Sequence, residues 1–143
     1  MSEDFIIPAI KFNIIFQIKG YNTTVDECLS DANWLKAIIS INSKTIISSV
    51  DAFVATNDLH LFSKDLQNLL HGNSNEAQLS TDEDAVFFKI SSRDKKDSII
   101  SGYIREIGED TIMTKFKSKV DIEELQMTSE KLSSLVDLYP ILN

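Results

Sequence analysis

The sequence predicts an α+β domain, built as an antiparallel sheet of about six strands with two helices packed on one of its faces. Several short segments alternate hydrophobic and polar residues, which is the period of a half-buried strand. In two other segments the hydrophobic residues recur at steps of three and four, which is the period of an amphipathic helix. Because 143 residues suit one core, we expect a single domain over 1–143, with 1–9 as a loose N-terminal segment.

The first half of the chain predicts a strand followed by a hairpin. Hydrophobic residues occupy every second position over 10–18, and the polar stretch 21–33 that follows has the composition of a loop. The alternation returns over 34–41, and a second run covers 45–50. The polar residues 42–44 between these runs predict the turn of the hairpin.

The first helix is predicted over 57–70, where leucine and phenylalanine recur along one helical face. Thr56 or Asn57 is expected to cap its N-terminus, because both side chains accept hydrogen bonds from the first turn. Gly72 is expected to end the helix in the left-handed conformation that glycine adopts without a steric cost.

The second half of the chain predicts further strands and a closing helix. The strand segments are 77–79, 86–90, 99–107 and 112–122. In the last of them Lys115, Lys117 and Lys119 share one face, which predicts a solvated side of the sheet. The helix is predicted over 129–139, with Thr128 or Ser129 as its cap.

The charge balance restricts the class of partner. Acidic residues outnumber basic ones by 22 to 14, giving a formal net charge of −8 at pH 7. Nucleic acid and membrane are not expected as partners, because phosphate binding needs clustered cations and no apolar run approaches the roughly 18 residues of a membrane span. Cys28 is the only cysteine and the N-terminus carries no basic leader, so we expect a cytoplasmic location.

Motifs for catalysis and for cofactors are missing from the sequence. The four glycines do not form a phosphate-binding loop or a nucleophile elbow. His60 and His71 lie about 16 Å apart along the predicted helix, too far to share a metal. Cys28 follows two acidic residues, which disfavour its thiolate. We therefore expect no catalytic residue, no metal and no cofactor.

Two short motifs carry a family resemblance. Ile18-Lys19-Gly20-Tyr21-Asn22, followed by Ser30-Asp31-Ala32-Asn33-Trp34-Leu35, resembles the opening of the WapI family of small bacterial immunity proteins. The likeness extends from about residue 10 to residue 140. It implies a cytoplasmic, non-enzymatic protein that binds the toxic domain of a contact-dependent toxin, often a nuclease, and neutralises it stoichiometrically.

Acidic residues in predicted turns are the candidate contacts for such a toxin, because loops present charge without disturbing a core. These residues are Asp82, Glu83, Asp84, Glu106, Glu109 and Asp110. A basic toxin domain is the partner that they would attract. Three other interpretations remain open: a small-molecule-binding domain on an open sheet face, a structural homo-oligomer that uses an exposed strand edge, and an enzyme of unrecognised type.

Overall fold

The computed structural model describes residues 3–21, 34–81, 84–92, 97–106 and 108–141. The strands are β1 (Asp4–Pro8), β2 (Phe12–Tyr21), β3 (Trp34–Ser43), β4 (Ile47–Ala55), β5 (Glu76–Ser80), β6 (Val86–Ser92), β7 (Ser98–Arg105) and β8 (Met113–Val120). The helices are α1 (Thr56–Leu70) and α2 (Ile122–Leu138). The α+β class predicted from the sequence is confirmed.

The strands form two sheets, and the predicted single sheet of about six strands is wrong. Each sheet is an antiparallel meander of four strands, in the orders β1-β2-β3-β4 and β5-β6-β7-β8. The helix α1 follows β4 without a linker and separates the two meanders along the chain. Alternation shows which side chains of a strand face the core, but it does not show which strands pair.

The first strand replaces the loose segment expected over residues 1–9. Residues 4–8 pair with β2, and Phe5 lies opposite Phe16 in the register. The two rings stack with their centroids 4.7 Å apart, and both are almost fully buried. Burial of two aromatic side chains is sufficient reason for this short segment to be ordered.

Each half of the described chain has the same element order, four strands and then a helix. Each helix packs against the first strand of the other half, α1 against β5 and α2 against β1, and the two helices contact each other. The sequence predicts both helices on one face of one sheet. This prediction is wrong, because each helix packs mainly against a different sheet. The Thr128 hydroxyl on α2 donates a 2.6 Å hydrogen bond to the Ile6 carbonyl, so the helix also pairs a backbone group of the edge strand.

Aromatic contacts join the two sheets into one core. Phe16 on β2 meets Phe88 on β6 with ring centroids 5.9 Å apart. Phe62 on α1 meets the same Phe88 ring at 5.1 Å. All three side chains are 0% exposed, so the inner faces of both sheets and one helix bury a common apolar interior.

The predicted C-terminal end of α1 is confirmed, whereas the predicted N-terminal cap is wrong. Gly72 has φ +77, its N–H donates to the Leu69 carbonyl, and Asn73 donates to Asn68, which is the predicted left-handed ending. At the start, the N-cap is Ala55 and no side chain caps the helix. Thr56 is buried instead, and its hydroxyl has no hydrogen-bond partner among the described residues.

The helix α2 begins seven residues before the predicted start at residue 129. Asp121 is its N-cap, and the carboxylate accepts a 3.0 Å hydrogen bond from the Glu123 N–H. Ile122 satisfies both the alternation of β8 and the spacing of the helix, so periodicity alone does not locate the change between them. The cap at Asp121 locates the change, because its side chain accepts a hydrogen bond from an N–H of the first turn that has no partner within the helix.

The segment after α2 is fixed to the first half of the fold. Tyr139 is 6% exposed, and its hydroxyl donates to the Glu3 carboxylate. Burial, and then the hydrogen bond to Glu3, raise the pKa of Tyr139 to about 12. The Tyr21 hydroxyl donates a 2.6 Å hydrogen bond to the Pro140 carbonyl, so the chain beyond α2 returns to β2.

Gly102 on β7 is required by the close approach of β6. A Cβ atom at this position would overlap the Phe87 carbonyl oxygen and lie 2.6 Å from the Phe88 Cα. Both obstacles are backbone atoms of a paired strand, so they cannot rotate away. We expect Gly102→Ala to lower the free energy of unfolding by about 1–3 kcal/mol, as measured by chemical denaturation. Ser101→Ala is the matched control on the same strand, and equal stability of the two variants would contradict this account.

Candidate functional site

Two turns that carry predicted contact residues lie side by side at one end of the second sheet. The β5–β6 turn covers residues 81–85, and the β7–β8 turn covers residues 106–112. The register pairs Val86 with Ile104, which places the start of β6 beside the end of β7. The Arg105 N–H donates a 2.8 Å hydrogen bond to the Ala85 carbonyl and ties the two turns together.

We call the residues Asp84, Glu106, Glu109 and Asp110 the acidic end. All four are exposed, and the structure brings them to the same end of one sheet. The β7–β8 turn is closed by a 3.3 Å hydrogen bond from the Glu106 N–H to the Ile112 carbonyl. The other two predicted contacts, Asp82 and Glu83, lie outside the described residues.

Asp84 differs from the other three acidic residues because it already forms hydrogen bonds and an ion pair within the protein. Its φ is +60, a left-handed conformation that Asp tolerates better than most residues. Arg105 Nε donates a 2.7 Å hydrogen bond to its carbonyl, and the guanidinium lies 3.8 Å from its carboxylate. The Tyr103 hydroxyl also donates to this carboxylate. Much of the charge of Asp84 is therefore balanced within the molecule, and Glu106, Glu109 and Asp110 are its more available neighbours.

An apolar groove next to the acidic end was missed by the sequence analysis. It forms where β8 crosses the hairpin turns of the first sheet, and the Ile10 N–H donates to the Lys119 carbonyl at 3.0 Å there. The Phe12 and Phe116 rings meet with centroids 5.3 Å apart. At the other end the Ser48 and Thr114 hydroxyls are 3.0 Å apart.

We call this cleft the edge groove; its volume is about 510 Å³. Its apolar lining residues are Ile10, Phe12, Ile41, Ile46 and Phe116. Lys11, Lys44, Lys115 and Lys117 also line it. In the described part of the chain, none of these four lysines forms an ion pair with a carboxylate.

Two exposed isoleucines line the groove, but the sequence pattern assigns both to strands and gives no signal of their exposure. Ile10 is 68% exposed and lies between β1 and β2, although its alternation with Phe12 assigns it to a strand face. Ile46 is 54% exposed and follows the predicted turn at 42–44. A large apolar residue inside a turn lacks a core position, which marks it as a candidate contact.

The described residues contain no group of three or more His, Cys, Asp or Glu that could hold a metal ion. His60 Nε2 lies 3.0 Å from the Tyr139 carbonyl, which is a structural contact between α1 and the segment after α2. Cys28 lies outside the described residues. Across the described ranges, neither helix has the length and apolarity to span a membrane.

The described surface thus combines a charged end with an adjoining apolar groove on a two-sheet α+β scaffold. The chain belongs to the immunity protein WapI-like family, whose family model matches residues 8–140. This match confirms the resemblance inferred from the sequence. Neither a search of the curated proteins nor a search of the solved structures found a match.

Asp84 should control the ionisation of Tyr103. The hydrogen bond to the Asp84 carboxylate is the largest cause that raises the pKa of Tyr103, because it favours the protonated phenol. We expect Asp84→Asn to lower the pKa of Tyr103, as followed by ultraviolet absorbance during alkaline titration. Asn is chosen because it tolerates a positive φ.

Tyr21 and Tyr139 should titrate unchanged in the Asp84→Asn variant, and Glu109→Gln serves as the control charge removal in the neighbouring turn. If Tyr103 titrates alike in both variants and the wild type, Asp84 is not its hydrogen-bond partner in solution.

Proposed function

We propose that this protein neutralises a cognate bacterial toxin domain by binding it in a stoichiometric complex, without a catalytic step of its own. The observation that carries the proposal is the match to the WapI-like immunity family over residues 8–140. The acidic end and the edge groove support it, since charged and apolar surfaces that adjoin each other suit recognition of a protein. The protein would meet its toxin in the cytoplasm.

The net charge supports a basic partner. The formal net charge of −8 favours a cationic partner, and the exposed carboxylates of the acidic end concentrate negative charge at one end of the second sheet. A nuclease-type toxin needs a basic cleft to bind phosphate, so it is the toxin class that this surface fits best. Complementary charge accelerates association more than it tightens the final complex.

The first test is whether this protein protects cells from the toxin domain. The toxin to test is a domain encoded directly beside the gene of this protein, expressed under a regulated promoter with and without this protein. We expect growth only with the protein present, and a complex of one copy of each chain on purification. Growth arrest despite equal expression of both chains, with no complex recovered, would refute the proposed function.

Reversal of charge at the acidic end should slow the association with the toxin domain. We expect a Glu106→Lys, Glu109→Lys and Asp110→Lys variant to associate about tenfold more slowly at low salt, because electrostatic steering is lost. The dissociation rate should change less. The measurement is stopped-flow or surface binding at ionic strengths from about 50 to 500 mM, over which the association rate of the wild type should fall.

The matched control variant reverses three exposed carboxylates elsewhere, Asp51, Glu130 and Asp137. It has the same net charge, so it separates the position of the charges from their number. If both variants associate equally slowly, the effect depends on net charge and not on the position of the charges. If the association rate of the wild type does not change with salt concentration, electrostatic steering is contradicted.

A further inference from the structure

Two of the four edge strands have a helix packed against them. The helix α2 packs against β1 and bonds the outward-facing Ile6 carbonyl, and α1 packs against β5. The other edge strands are β4 and β8. An uncovered edge presents backbone N–H and C=O groups that can pair with an incoming strand. Only the edge of β8, of these two, borders the edge groove.

The hydrogen bonds at the two ends of β8 show which of its residues face the open side. The Ile112 carbonyl accepts from Glu106 on the β7 side, whereas the Lys119 carbonyl accepts from Ile10 on the opposite side. Successive residues of a strand direct their backbone groups to alternate sides. The backbone N–H and C=O groups of Lys115 and Lys117 therefore face the groove, away from β7. Among the described residues, no backbone hydrogen bond to them is seen on this side.

The groove beside this edge combines an apolar floor with a cationic rim. The rings of Phe12 and Phe116 form the floor, and the exposed side chain of Ile46 extends it. The four lysines that line the groove carry positive charge without a carboxylate partner in the described ranges. This pattern fits an extended segment that places apolar side chains inward and carboxylates at its margins.

A second copy of this chain is a poor occupant. Antiparallel pairing of two β8 strands would place Lys115, Lys117 and Lys119 of one copy beside the same lysines of the other. Like charges on directly opposed or diagonal positions destabilise a strand pair. The lysines therefore select against self-pairing and in favour of an acidic partner segment.

We propose that the free edge of β8 at Lys115 and Lys117 receives an extended segment of the toxin domain, which adds a strand to the second sheet within the edge groove. This inference rests on the proposed function and names the element of the toxin that is bound. The β7–β8 turn leads directly into β8, so the acidic end adjoins the same edge. One partner covers both surfaces, with basic residues at the acidic end and an acidic, apolar strand in the groove.

Proline at position 117 tests the strand pairing. Lys117→Pro removes the N–H that faces the groove and leaves the ladder to β7 intact, since that ladder uses the alternate residues. We expect the dissociation rate of the toxin complex to rise about tenfold or more, because a hydrogen bond is lost and its partner stays unpaired. Amide exchange over residues 113–117 should also slow when the toxin domain binds to the wild type.

Two control variants separate loss of the backbone hydrogen bond from loss of the lysine charge and from a general effect of proline. Lys117→Gln removes the charge and keeps the N–H, so its dissociation rate should change far less than that of Lys117→Pro. Ser49→Pro places proline on the other open edge, because the Ser43 to Ile46 hydrogen bond directs the even-numbered residues of β4 to β3. Ser49 is exposed and lies outside the edge groove, so binding should be unchanged. Circular dichroism and the midpoint of unfolding confirm that both proline variants fold.

Each outcome decides one proposal. If the wild type does not bind the neighbouring toxin domain, the proposed function fails. If the wild type binds and Lys117→Pro dissociates at the same rate, only the strand pairing fails. Equal losses in Lys117→Pro and Lys117→Gln would assign the contact to charge alone and overturn the pairing. A wild-type homodimer that Lys117→Pro converts to a monomer would identify a second copy as the occupant and overturn the proposal.

Discussion

Three phenylalanine rings from three elements meet where the two sheets face each other, and the remaining architecture depends on their contact. Phe88 is the shared member, packing edge to face against both Phe16 and Phe62. Through these contacts β2, β6 and α1 bury a common interior, although no ladder among the described strands joins the two sheets. A shared apolar core thus unites the halves in place of a strand ladder, and the Ile10 to Lys119 hydrogen bond fixes β8 across the turns of the first sheet.

The elements with a strong period are the ones that sequence reasoning locates best. The helix over residues 57–70 and the alternation of β8 are found within a residue or two, because a buried face repeats along each of them. The split into two sheets is not found, since pairing depends on contacts between distant strands. The start of α2 is missed because Ile122 fits both periods. Thr56 is misassigned as a cap because burial outweighs its preference for that position.

The candidate site shows the same division between local and distant information. Clusters of carboxylates in turns are visible in the sequence, and the structure places Asp84 and Glu106 at one end of a sheet. What the sequence does not show is that Arg105 and Tyr103 engage Asp84, since these partners lie about twenty residues away. The edge groove is invisible for a stronger reason: it lies between two sheets whose relative placement no local pattern encodes.

The exchange of helices between the halves has a consequence for the timing of synthesis. Ile6 and Thr128, which pair β1 with α2, are 122 residues apart in the chain. At a translation rate of about 5–20 residues per second, the ribosome needs roughly 6–24 s to make the helix that covers the first strand. Until then the nascent chain exposes an unprotected strand edge, and β8 is itself made late. The first sheet therefore reaches its final packing only when nearly the whole chain has been made.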